Sequence, residues 1–408
     1  MTYSLLLATV LLISSAKGDF LLDSYEDNST VRIKNLPEVP SMNKWSGSYG
    51  GPNNDHANMI QQTSDGGYII IGDTRSYAEN GDQVDIWLIK LDENGKTNWS
   101  KVIGTNPVNN SYAVQQTDDG GYIILGITTH FGNGCVWLIK VDSFGDYVWD
   151  KKYGDIGGDM GYSIDQTLDG GYIVCGASGI TGNIDFWLMK TDAAGNTNWT
   201  RTIGTDYYEA FISVQQTSDD GYIAVGNIEL ESGYNDILLA KFNSSGSSNW
   251  TRCYGDSVHD FTANMIRQTS DGGYIITGTA DTNTIANYDA LLIKLDDAGN
   301  PDWQRFYDYS IGDAGETVRQ TSDGGYIIGG YIYSDTSDLD GWLAKTDIDG
   351  NIEWSKVYDV NGYRDLISSI IETSDGGYIS AGMMTFYDGS FLPTNVWVLK
   401  TDENGDIE

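Results

Sequence analysis

The sequence predicts an all-β fold, a seven-bladed β-propeller with four-stranded blades, on the strength of three observations. The phrase Thr-x-Asp-Gly-Gly-Tyr recurs at intervals of 50 to 54 residues. A turn of the form Asp-x-x-Gly, followed four residues later by tryptophan, recurs with the same period. The last copy of this turn lacks its tryptophan, and a matching stretch stands near the N-terminus instead. This period is typical of propellers and solenoids, and the circular offset favours a closed ring.

The first marker occurs seven times, which predicts seven blades. Six copies read Asp-Gly-Gly-Tyr, and the fourth reads Asp-Asp-Gly-Tyr with the same spacing. Each repeat holds four short segments that are rich in β-branched and aromatic residues and bounded by Gly, Asn or Asp, so each blade should have four strands. The tyrosines of the marker are Tyr68, Tyr122, Tyr172, Tyr222, Tyr274, Tyr326 and Tyr378.

The second marker predicts how the ring closes. Its final turn, at residues 402–405, has no tryptophan after it, whereas residues 44–49 (Lys-Trp-Ser-Gly-Ser-Tyr) match the strand that begins near Trp99. We predict that an N-terminal strand around Trp45 completes the last blade and removes the exposed sheet edges. The tryptophans after the other turns are Trp99, Trp149, Trp199, Trp250, Trp303 and Trp354.

The repeat also sets the predicted domain boundaries: a signal peptide at 1–18, an N-terminal linker at 19–41 and one propeller at 42–408. Residues 5–13 form an apolar run, and Ala16 and Gly18 are small residues suited to cleavage before Asp19. The run is much too short to span a bilayer, so we expect a secreted, extracellular or cell-surface protein without membrane insertion. The predicted blades are 55–104, 109–154, 159–204, 209–255, 260–307, 313–358, and 365–408 together with 42–50.

Charge limits the partners. The chain has a formal net charge of −35, and loss of Lys17 with the leader makes the mature chain −36. Such acidity argues against binding to nucleic acid or anionic membranes, which require positive charge. We expect a monomer. The cysteines are odd in number and stand at unrelated repeat positions, so no disulfide framework is predicted, although a bridge between Cys135 and Cys175 is an alternative.

The wording of the repeat resembles a known group of proteins. Gln-Gln-Thr-Ser-Asp-Gly-Gly-Tyr-Ile-Ile and Asp-Ile-Trp-Leu-Ile-Lys-Leu-Asp-Glu-Asn-Gly are similar to the Asp-Gly-Gly-Tyr propeller repeats of secreted and cell-surface proteins of archaea and bacteria. These repeats look kelch-like or quinoprotein-like in blade organisation. The resemblance covers residues 42–408 and implies the propeller architecture. It implies no particular activity, because propellers host many functions.

Residues that recur in every blade are predicted to maintain the blade rather than to bind a ligand. A lysine of the third strand should pair with the aspartate of the Asp-Gly-Gly turn, and a glutamine before the turn threonine should bond to backbone groups of the innermost strand. The marker tryptophans should pack between blades. The residues concerned are Lys90, Lys140, Lys190, Lys241, Lys294, Lys345 and Lys400, and Gln62, Gln116, Gln166, Gln216, Gln268 and Gln320, with Glu372 in blade 7.

The loops that lead from one blade into the next are unusually acidic and should open beside the central channel, on the face of the variable loops. Their carboxylates could converge near the channel mouth, where hard oxygen ligands would suit calcium. The alternative is an acidic rim without a bound ion, since no loop has EF-hand spacing. The candidate metal ligands are Asp55, Asp159, Glu209, Asp260, Asp313 and Asp365.

The same face is the predicted ligand-binding face because its loops carry many aromatic residues. Aromatic rings beside carboxylates and amides suit a glycan, and a protein interface uses the same residue types. Arg267 and Arg319 occupy equivalent places on adjacent inner strands, with Arg364 as a loose third, which is no convincing cluster for a carboxylate substrate. The candidate ligand-binding residues are Tyr207, Tyr208, Phe261, Tyr363, Phe131, Tyr387, Arg364 and His259.

Catalysis has little support in a sequence with only three histidines. We expect a non-catalytic extracellular binding or cell-surface protein that recognises a glycan or a protein, and we identify no catalytic residue. The alternative is a carbohydrate-active enzyme, a polysaccharide lyase or a glycosidase, with its site at the channel mouth. In that case His259 with Asp260, or His56 with Asp55, could act as acid and base.

Overall fold

A computed structural model describes most of the chain from Arg32 to Ile407. The described ranges are 32–35, 46–78, 83–104, 109–130, 133–154, 158–180, 183–204, 208–230, 233–256, 258–283, 287–310, 312–333, 339–360, 364–386 and 393–407. They contain 29 β-strands and no helix, which confirms the all-β prediction. Within these ranges there is consequently no apolar helix of membrane-spanning length.

The strands repeat in the order inner, second, third and outer. The inner strands are β3 (Asp55–Gln62), β7 (Asn109–Gln116), β11 (Asp159–Gln166), β15 (Glu209–Gln216), β19 (Phe261–Gln268), β23 (Asp313–Gln320) and β27 (Asp365–Glu372). The second strands are β4 (Tyr68–Thr74), β8 (Tyr122–His130), β12 (Tyr172–Ile180), β16 (Tyr222–Glu229), β20 (Tyr274–Asn283), β24 (Tyr326–Tyr333) and β28 (Tyr378–Thr385). The third strands are β5 (Asp85–Leu91), β9 (Asn133–Val141), β13 (Asn183–Thr191), β17 (Asn235–Phe242), β21 (Asn287–Leu295), β25 (Leu339–Thr346) and β29 (Thr394–Thr401). The outer strands are β6 (Thr97–Gly104), β10 (Tyr147–Tyr153), β14 (Thr197–Ile203), β18 (Ser248–Tyr254), β22 (Pro301–Tyr307), β26 (Ile352–Tyr358) and, for blade 7, β2 (Ser46–Tyr49).

These strands form seven antiparallel sheets, one for each blade, in which strands that follow one another in the chain are neighbours, except β1 and β2. The inner strands of consecutive blades contact one another all the way around, including β27 of blade 7 and β3 of blade 1. The chain is therefore a closed seven-bladed β-propeller, as the sequence predicted. The loops between blades and the loops between second and third strands share one face, which we call the loop-rich face.

The N-terminal strand closes the ring as predicted. β2 pairs antiparallel with β29 and takes the outermost place in blade 7. The Tyr49 hydroxyl donates a hydrogen bond to the Gly95 carbonyl of blade 1 at 2.6 Å, and Tyr307 makes the equivalent bond to Gly350 between blades 5 and 6 at 2.8 Å. β2 thus reproduces the contacts of an ordinary outer strand. Trp45 itself lies outside the described residues.

One strand was not predicted. We expected a linker at 19–41, but within it β1 (Arg32–Asn35) pairs antiparallel with β6, with Arg32 opposite Gly104. Blade 1 consequently has five strands. The segment Arg-Ile-Lys-Asn carries neither repeat marker, and only the nearby edge of blade 1 makes it a strand. Sequence pattern therefore gave no signal for it.

The hydrophobic core lies between the blades, in seven clusters that each join two neighbouring sheets. Each described marker tryptophan packs beside the marker tyrosine of the next blade. The ring centres of Trp99 and Tyr122 are 5.9 Å apart, as are those of Trp303 and Tyr326. Edge contacts of this kind add about 0.5 to 1.5 kcal/mol to the burial of apolar area. The predicted packing role of these tryptophans is confirmed.

The repeated lysine makes the predicted ion pair in all seven blades. Its ammonium lies 2.8 to 3.0 Å from the aspartate of the Asp-Gly-Gly turn, as in Lys90 with Asp65. The turn must have glycine before its tyrosine, because a Cβ at Gly67 would stand 2.3 Å from a backbone carbonyl and 2.6 Å from the Lys90 ammonium. The buried lysine of each blade therefore explains both the aspartate and the second glycine of the Asp-Gly-Gly-Tyr marker.

The repeated glutamine links each blade to the preceding one. Gln116 Oε1 accepts the N–H of Ser64 at 2.8 Å, and the equivalent bond recurs at each later step. At the last step Gln62 of blade 1 accepts the N–H of Ser374 of blade 7 at 3.3 Å. The predicted backbone bonding is confirmed, and it runs between blades and closes the ring.

The marker turn of blade 4 carries a conformational cost that the other blades avoid. Asp220 has a φ of 63° where the other turns place glycine, as Gly120 does with a φ of 79°. A left-handed backbone is unfavourable for a residue with a Cβ. We expect Asp220→Gly to raise the free energy of unfolding by about 0.5 to 1 kcal/mol. Urea denaturation of both proteins measures the difference.

The reverse substitution in blade 2, Gly120→Asp, is the matched control. No heavy atom lies within 4 Å of a Cβ added at Gly120, so only backbone conformation opposes the side chain. A loss of about 1 kcal/mol is expected. Equal stability of both variants and the parent protein would contradict the argument.

Candidate functional site

The carboxylates predicted to bind a metal lie at the loop-rich face, but hydrogen bonds from the protein occupy four of them, namely Asp55, Asp260, Asp313 and Asp365. Asp55 Oδ1 accepts from the Thr74 hydroxyl at 2.5 Å and from the N–H of Ser76 at 3.2 Å. Its Oδ2 accepts from Ser76 Oγ at 2.6 Å and from the N–H of Gly51 at 2.9 Å. Asp55 therefore ties the loop that enters blade 1 to the loop between the second and third strands.

Asp313, at the equivalent position of blade 6, holds its own loop in the same way, because it accepts from the N–H of Tyr309 and from Ser310 Oγ, both at 2.6 Å. Asp260 of blade 5 stands one residue before the equivalent position, and it accepts from the N–H of Asn235 in blade 4 at 2.8 Å. The remaining candidates are buried side chains at the position equivalent to Asp55, namely Asp159, Glu209 and Asp365. Within the described ranges, no group of three His, Cys, Asp or Glu side chains could hold a metal ion. Calcium binding stays a prediction.

Among the aromatic candidates, the structure describes Tyr208 and Phe261. Tyr208 is 49% exposed, and its backbone forms a parallel bridge with Ile184. Phe261 is partly buried, and its ring centre lies 6.5 Å from that of Phe306. The other four aromatic candidates fall outside the described residues, namely Phe131, Tyr207, Tyr363 and Tyr387.

Two further exposed tyrosines belong to the same face. Tyr234 is 36% exposed, and Tyr309 is 47% exposed although its ring centre lies 5.6 Å from that of the buried Trp342. Arg364 lies on this face with an exposed side chain, while its carbonyl accepts from the Thr385 hydroxyl at 2.6 Å. The face therefore combines exposed aromatic rings with polar side chains.

The histidines pair with carboxylates other than those proposed from the sequence. His259 Nδ1 lies 2.8 Å from Asp256 Oδ2, whereas Asp260 accepts from backbone and side-chain N–H groups of another loop. The hydrogen bond from His259 lowers the pKa of Asp256. His56 Nε2 lies 3.4 Å from Asp73 Oδ2. The first pair lies within one loop and the second joins the inner strand of blade 1 to its second strand. Neither is one of the two pairs proposed from the sequence as acid and base.

The three cysteines form no disulfide. Cys135 and Cys175 are buried, and their thiols donate to the carbonyls of Thr128 and Phe211 at 3.4 and 3.6 Å. Burial raises the pKa of Cys135 to about 11. The thiols are therefore packing residues, and the alternative of a bridge between them is not adopted.

At the bulges of the inner strands, the channel is lined by residues that the sequence did not single out. Each inner strand has a bulge in its pairing with the second strand, and one residue per blade stands at the bulge, where it is left out of the ladder. Unlike the markers, these residues differ between blades, which is the signal that could have revealed them. They are Asn58, Tyr112, Tyr162, Ile212, Asn264, Glu316 and Ser368.

The bulge residues connect neighbouring blades around the channel. Asn58 Nδ2 donates to the Ser111 carbonyl of blade 2 at 2.8 Å. The rings of Tyr112 and Tyr162 pack edge to face with centres 5.4 Å apart. Burial, together with the neighbouring Tyr208 and Tyr112, raises the pKa of Tyr162. Three neighbouring tyrosines, Tyr112, Tyr162 and Tyr208, thus extend from the channel wall to the exposed surface.

Glu316 is the one carboxylate among the bulge residues. Burial raises its pKa to about 7, and its side chain accepts no hydrogen bond from another residue that the structure describes. Because the folded pKa lies above the ordinary value of 4.5, the protonated form is favoured in the folded state. The stability that depends on protonated Glu316 is fully present below about pH 4.5 and is lost as the pH rises through about 7.

Glu316→Gln should remove this pH dependence, since glutamine imitates the protonated acid. We expect the variant to exceed the parent protein by about 1 to 3 kcal/mol in unfolding free energy at pH 8 and to match it at pH 4, below the unfolded pKa. Guanidinium denaturation at both pH values measures this. The control is Glu93→Gln in an exposed turn, which should show no such change. A difference independent of pH would refute the assignment.

Comparisons with known proteins support the fold alone. No family model matches the chain, and no curated protein is similar to it in sequence. A solved protein of unknown function from Dyadobacter fermentans DSM 18053 matches with a TM-score of 0.51 and 10% identity, over 90% of this chain and 99% of that one. The WD40 domain of Neurospora crassa Pan2 matches with a TM-score of 0.52 and 12% identity, over 90% and 99%. Puromycin hydrolase matches with 0.54 and 13%, over 86% of this chain and 54% of its own.

The chain is thus a seven-bladed propeller with propeller structural neighbours. At these sequence identities, the similarity shows the fold and gives no information about the activity or the partners of this protein. Membership of the Asp-Gly-Gly-Tyr repeat group of archaea and bacteria stays a prediction.

Proposed function

We propose that this protein is a secreted, non-catalytic binding protein that recognises a glycan or a protein through its loop-rich face. The observation that carries the proposal is a set of exposed tyrosines on that face. Tyr208 precedes blade 4, Tyr234 lies within it and Tyr309 precedes blade 6, and each is at least 36% exposed. We call these three residues the tyrosine sector.

The tyrosine sector is specific to a few blades, whereas the blade markers occur in all of them. Tyrosine offers a large rigid ring with a hydrogen-bonding end, which suits both stacking on sugars and anchoring at protein interfaces. Exposed apolar residues at the opposite face lie instead at the repeated hairpin turns, as Leu168 does, and three of them adjoin one turn of blade 2, namely Phe144, Tyr147 and Val148. The support for the loop-rich face is that its exposed tyrosines lie in the variable loops, outside the repeated turns.

A glycan array and a pull-down with extracellular proteins, both using the secreted chain, test the proposal. Tyr208→Ala and Tyr309→Ala should each weaken binding of the captured ligand about tenfold or more, as expected for an aromatic anchor. Leu168→Ala, which removes an 81% exposed side chain from the opposite face, is the matched control and should leave the affinity unchanged. A parallel arm with a chelator tests the predicted calcium dependence.

The outcome also distinguishes the ligand classes. Binding to immobilised sugars identifies a glycan ligand, and capture of a protein that survives glycosidase treatment identifies a protein ligand. Equal losses for the control and the two tyrosine variants, or binding by neither assay, would overturn the proposal.

The alternative, a carbohydrate-active enzyme acting at the channel mouth, receives support from two carboxyl groups, because burial raises the pKa of Glu316 and of Asp365 to about 7. The pKa of Glu316, raised to about 7 by burial, is suited to a general acid near neutral pH. Incubation with polysaccharides should then release sugar products, and Glu316→Gln should abolish the release. Product formation by the parent protein and the variant alike would exclude this function for Glu316.

A further inference from the structure

The inner strands of blades 1 to 4 share a hydrogen-bonding position that faces the next blade. The side chain at this position accepts the backbone N–H of the following inner strand. Gln61 accepts from Gln116 at 2.6 Å, and Asp165 accepts from Gln216 at 2.9 Å. Gln115 and Gln215 make the same bond at 2.6 and 2.8 Å. Four successive steps of the ring therefore place an oxygen acceptor at this level of the channel.

Blades 5 and 6 interrupt this pattern with arginine. Arg267 and Arg319 occupy the position three residues after the bulge, as Gln61 does in blade 1. A guanidinium donates hydrogen bonds and cannot accept one. The backbone N–H groups of Gln320 and Glu372 consequently lack the side-chain acceptor that the earlier steps provide. Two cationic side chains and two backbone donors thus replace the oxygen acceptors of the earlier blades.

The two guanidinium groups use only part of their donor capacity. Arg267 Nη1 donates to Ser213 Oγ at 3.2 Å and to its neighbouring carbonyl at 2.6 Å. Arg319 Nη1 donates to Met265 Sδ at 2.6 Å and to its neighbouring carbonyl at 2.8 Å. In the part of the chain that the structure describes, Nε and Nη2 of both arginines make no hydrogen bond, and no carboxylate lies within 4.0 Å of either.

One carboxylate of the inner ring, Asp165, acts on both arginines, and neutral N–H groups fill its hydrogen-bonding positions. Asp165 favours the charged form of both arginines, but its oxygens accept from the N–H of Gln216 and from Gln115 Nε2 at 2.9 and 3.2 Å. Burial and the nearby Arg267 lower the pKa of Arg319. Arginine stays protonated in proteins, so two guanidinium charges share one carboxylate and a second anion would balance them.

We propose that an oxyanion of the size of a carboxylate or sulfate binds in the channel beside blades 5 and 6. The unused N–H groups of Arg267 and Arg319 would hold it by charge-assisted hydrogen bonds, and the backbone N–H groups of Gln320 and Glu372 are further donors at the same level. Both arginine side chains are partly exposed, so a solute can reach them. The site is separate from the tyrosine sector and does not depend on its function.

Substitution to glutamine tests the site without disturbing the fold, because glutamine is the residue that blades 1, 2 and 4 carry at this position. The melting temperature of the parent protein should rise saturably as sodium sulfate or sodium acetate replaces sodium chloride at constant ionic strength, over about 0.1 to 10 mM. The double variant Arg267→Gln, Arg319→Gln should show no such rise. Without added oxyanion it should also melt at a higher temperature than the parent protein.

Arg201→Gln is the matched control, since Arg201 lies on the outer strand of blade 3, where its guanidinium is 5.2 Å from the centre of the Trp199 ring. It should retain the full response to sulfate. An equal response from the parent protein and the double variant would reflect a general salt effect and overturn the proposal. Absence of a saturable response in the parent protein would overturn it as well.

A second arm distinguishes a free anion from one carried by a larger ligand. The same titration uses a short peptide with a C-terminal carboxylate and its amidated form, each at millimolar concentration. Saturation by sulfate or acetate but not by the peptide identifies a small-solute site, and a response to the carboxylate peptide but not to the amide identifies a site for a chain end. Either result supports an oxyanion site only if the double variant abolishes it.

Discussion

Deletion of residues 42–50 is expected to lower the free energy of unfolding by more than about 4 kcal/mol, while the loop-rich face keeps its residues. The deletion removes β2, exposes the edge of β29 and takes away the buried Tyr49, which belongs to the cluster between blades 7 and 1. Loss of a large core aromatic alone costs about 3 to 5 kcal/mol, and the lost backbone pairing adds to this. Denaturation in guanidinium, followed by tryptophan fluorescence, measures the change.

Deletion of residues 32–35 is the matched control, because β1 is an added fifth strand on a blade that already has four. Its removal should cost much less than removal of β2. Similar losses for the two deletions, or an unaltered denaturation midpoint after removal of 42–50, would contradict the closure argument.

The protein should also lose about 4 to 7 kcal/mol of stability between pH 6 and pH 2 through the seven lysine and aspartate pairs. Burial raises the pKa of each turn aspartate, but hydrogen bonds from the lysine, the turn threonine and a glycine N–H outweigh it, and the pKa of Asp219 falls to about 2. A folded pKa below the unfolded value of about 3.9 stabilises the protein above that value, and the stability is lost as the pH falls towards 2. Each pair contributes only about 0.5 to 1 kcal/mol because the carboxylate is more than half exposed.

A double-mutant cycle with Lys241→Met and Asp219→Asn isolates one of these pairs. Its coupling energy should be about 0.5 to 1 kcal/mol at pH 6 and should disappear near pH 2. Lys96→Met removes an exposed lysine that has no ion pair among the described residues, and its effect should not vary with pH. A coupling that persists at pH 2 would show that packing, and not charge, holds the pair.

Much of the fold could be predicted because each repeat marker answers a local requirement. The Asp-Gly-Gly-Tyr turn supplies a positive φ, the partner of a buried lysine and a tyrosine for the neighbouring tryptophan. Seven copies of the marker therefore specify seven blades that pack in the same way. The stretch around Trp45, which matches an outer strand but stands at the N-terminus, indicated the strand that closes the ring. β1 escaped prediction because its pairing depends on an edge of blade 1 that is distant in sequence.

The candidate site was predicted less well, for a related reason. Asp55 and Asp313 were recognised as acidic loop residues, yet their hydrogen bonds to loop N–H and hydroxyl groups exist only once the loops are folded. Glu316 was missed because no marker announces the bulge of the inner strand that places it beside the channel. The repeat identified the residues that stabilise each blade, but it could not show which of the residues that differ between blades belong to a functional site.

By itself, the sequence determined the all-β class, the number of blades, the closing strand and the residues that stabilise each blade, since these depend on short-range contacts repeated seven times. Only the tertiary structure decided which side chains face the channel and which loop carboxylates are consumed by hydrogen bonds. Those properties arise where different blades meet around the axis, between residues about 50 positions apart, and no local pattern encodes them. Arg267 and Arg319 illustrate both cases. The repeat alone showed that they occupy equivalent positions, but only the structure showed that no carboxylate of the described residues forms an ion pair with them.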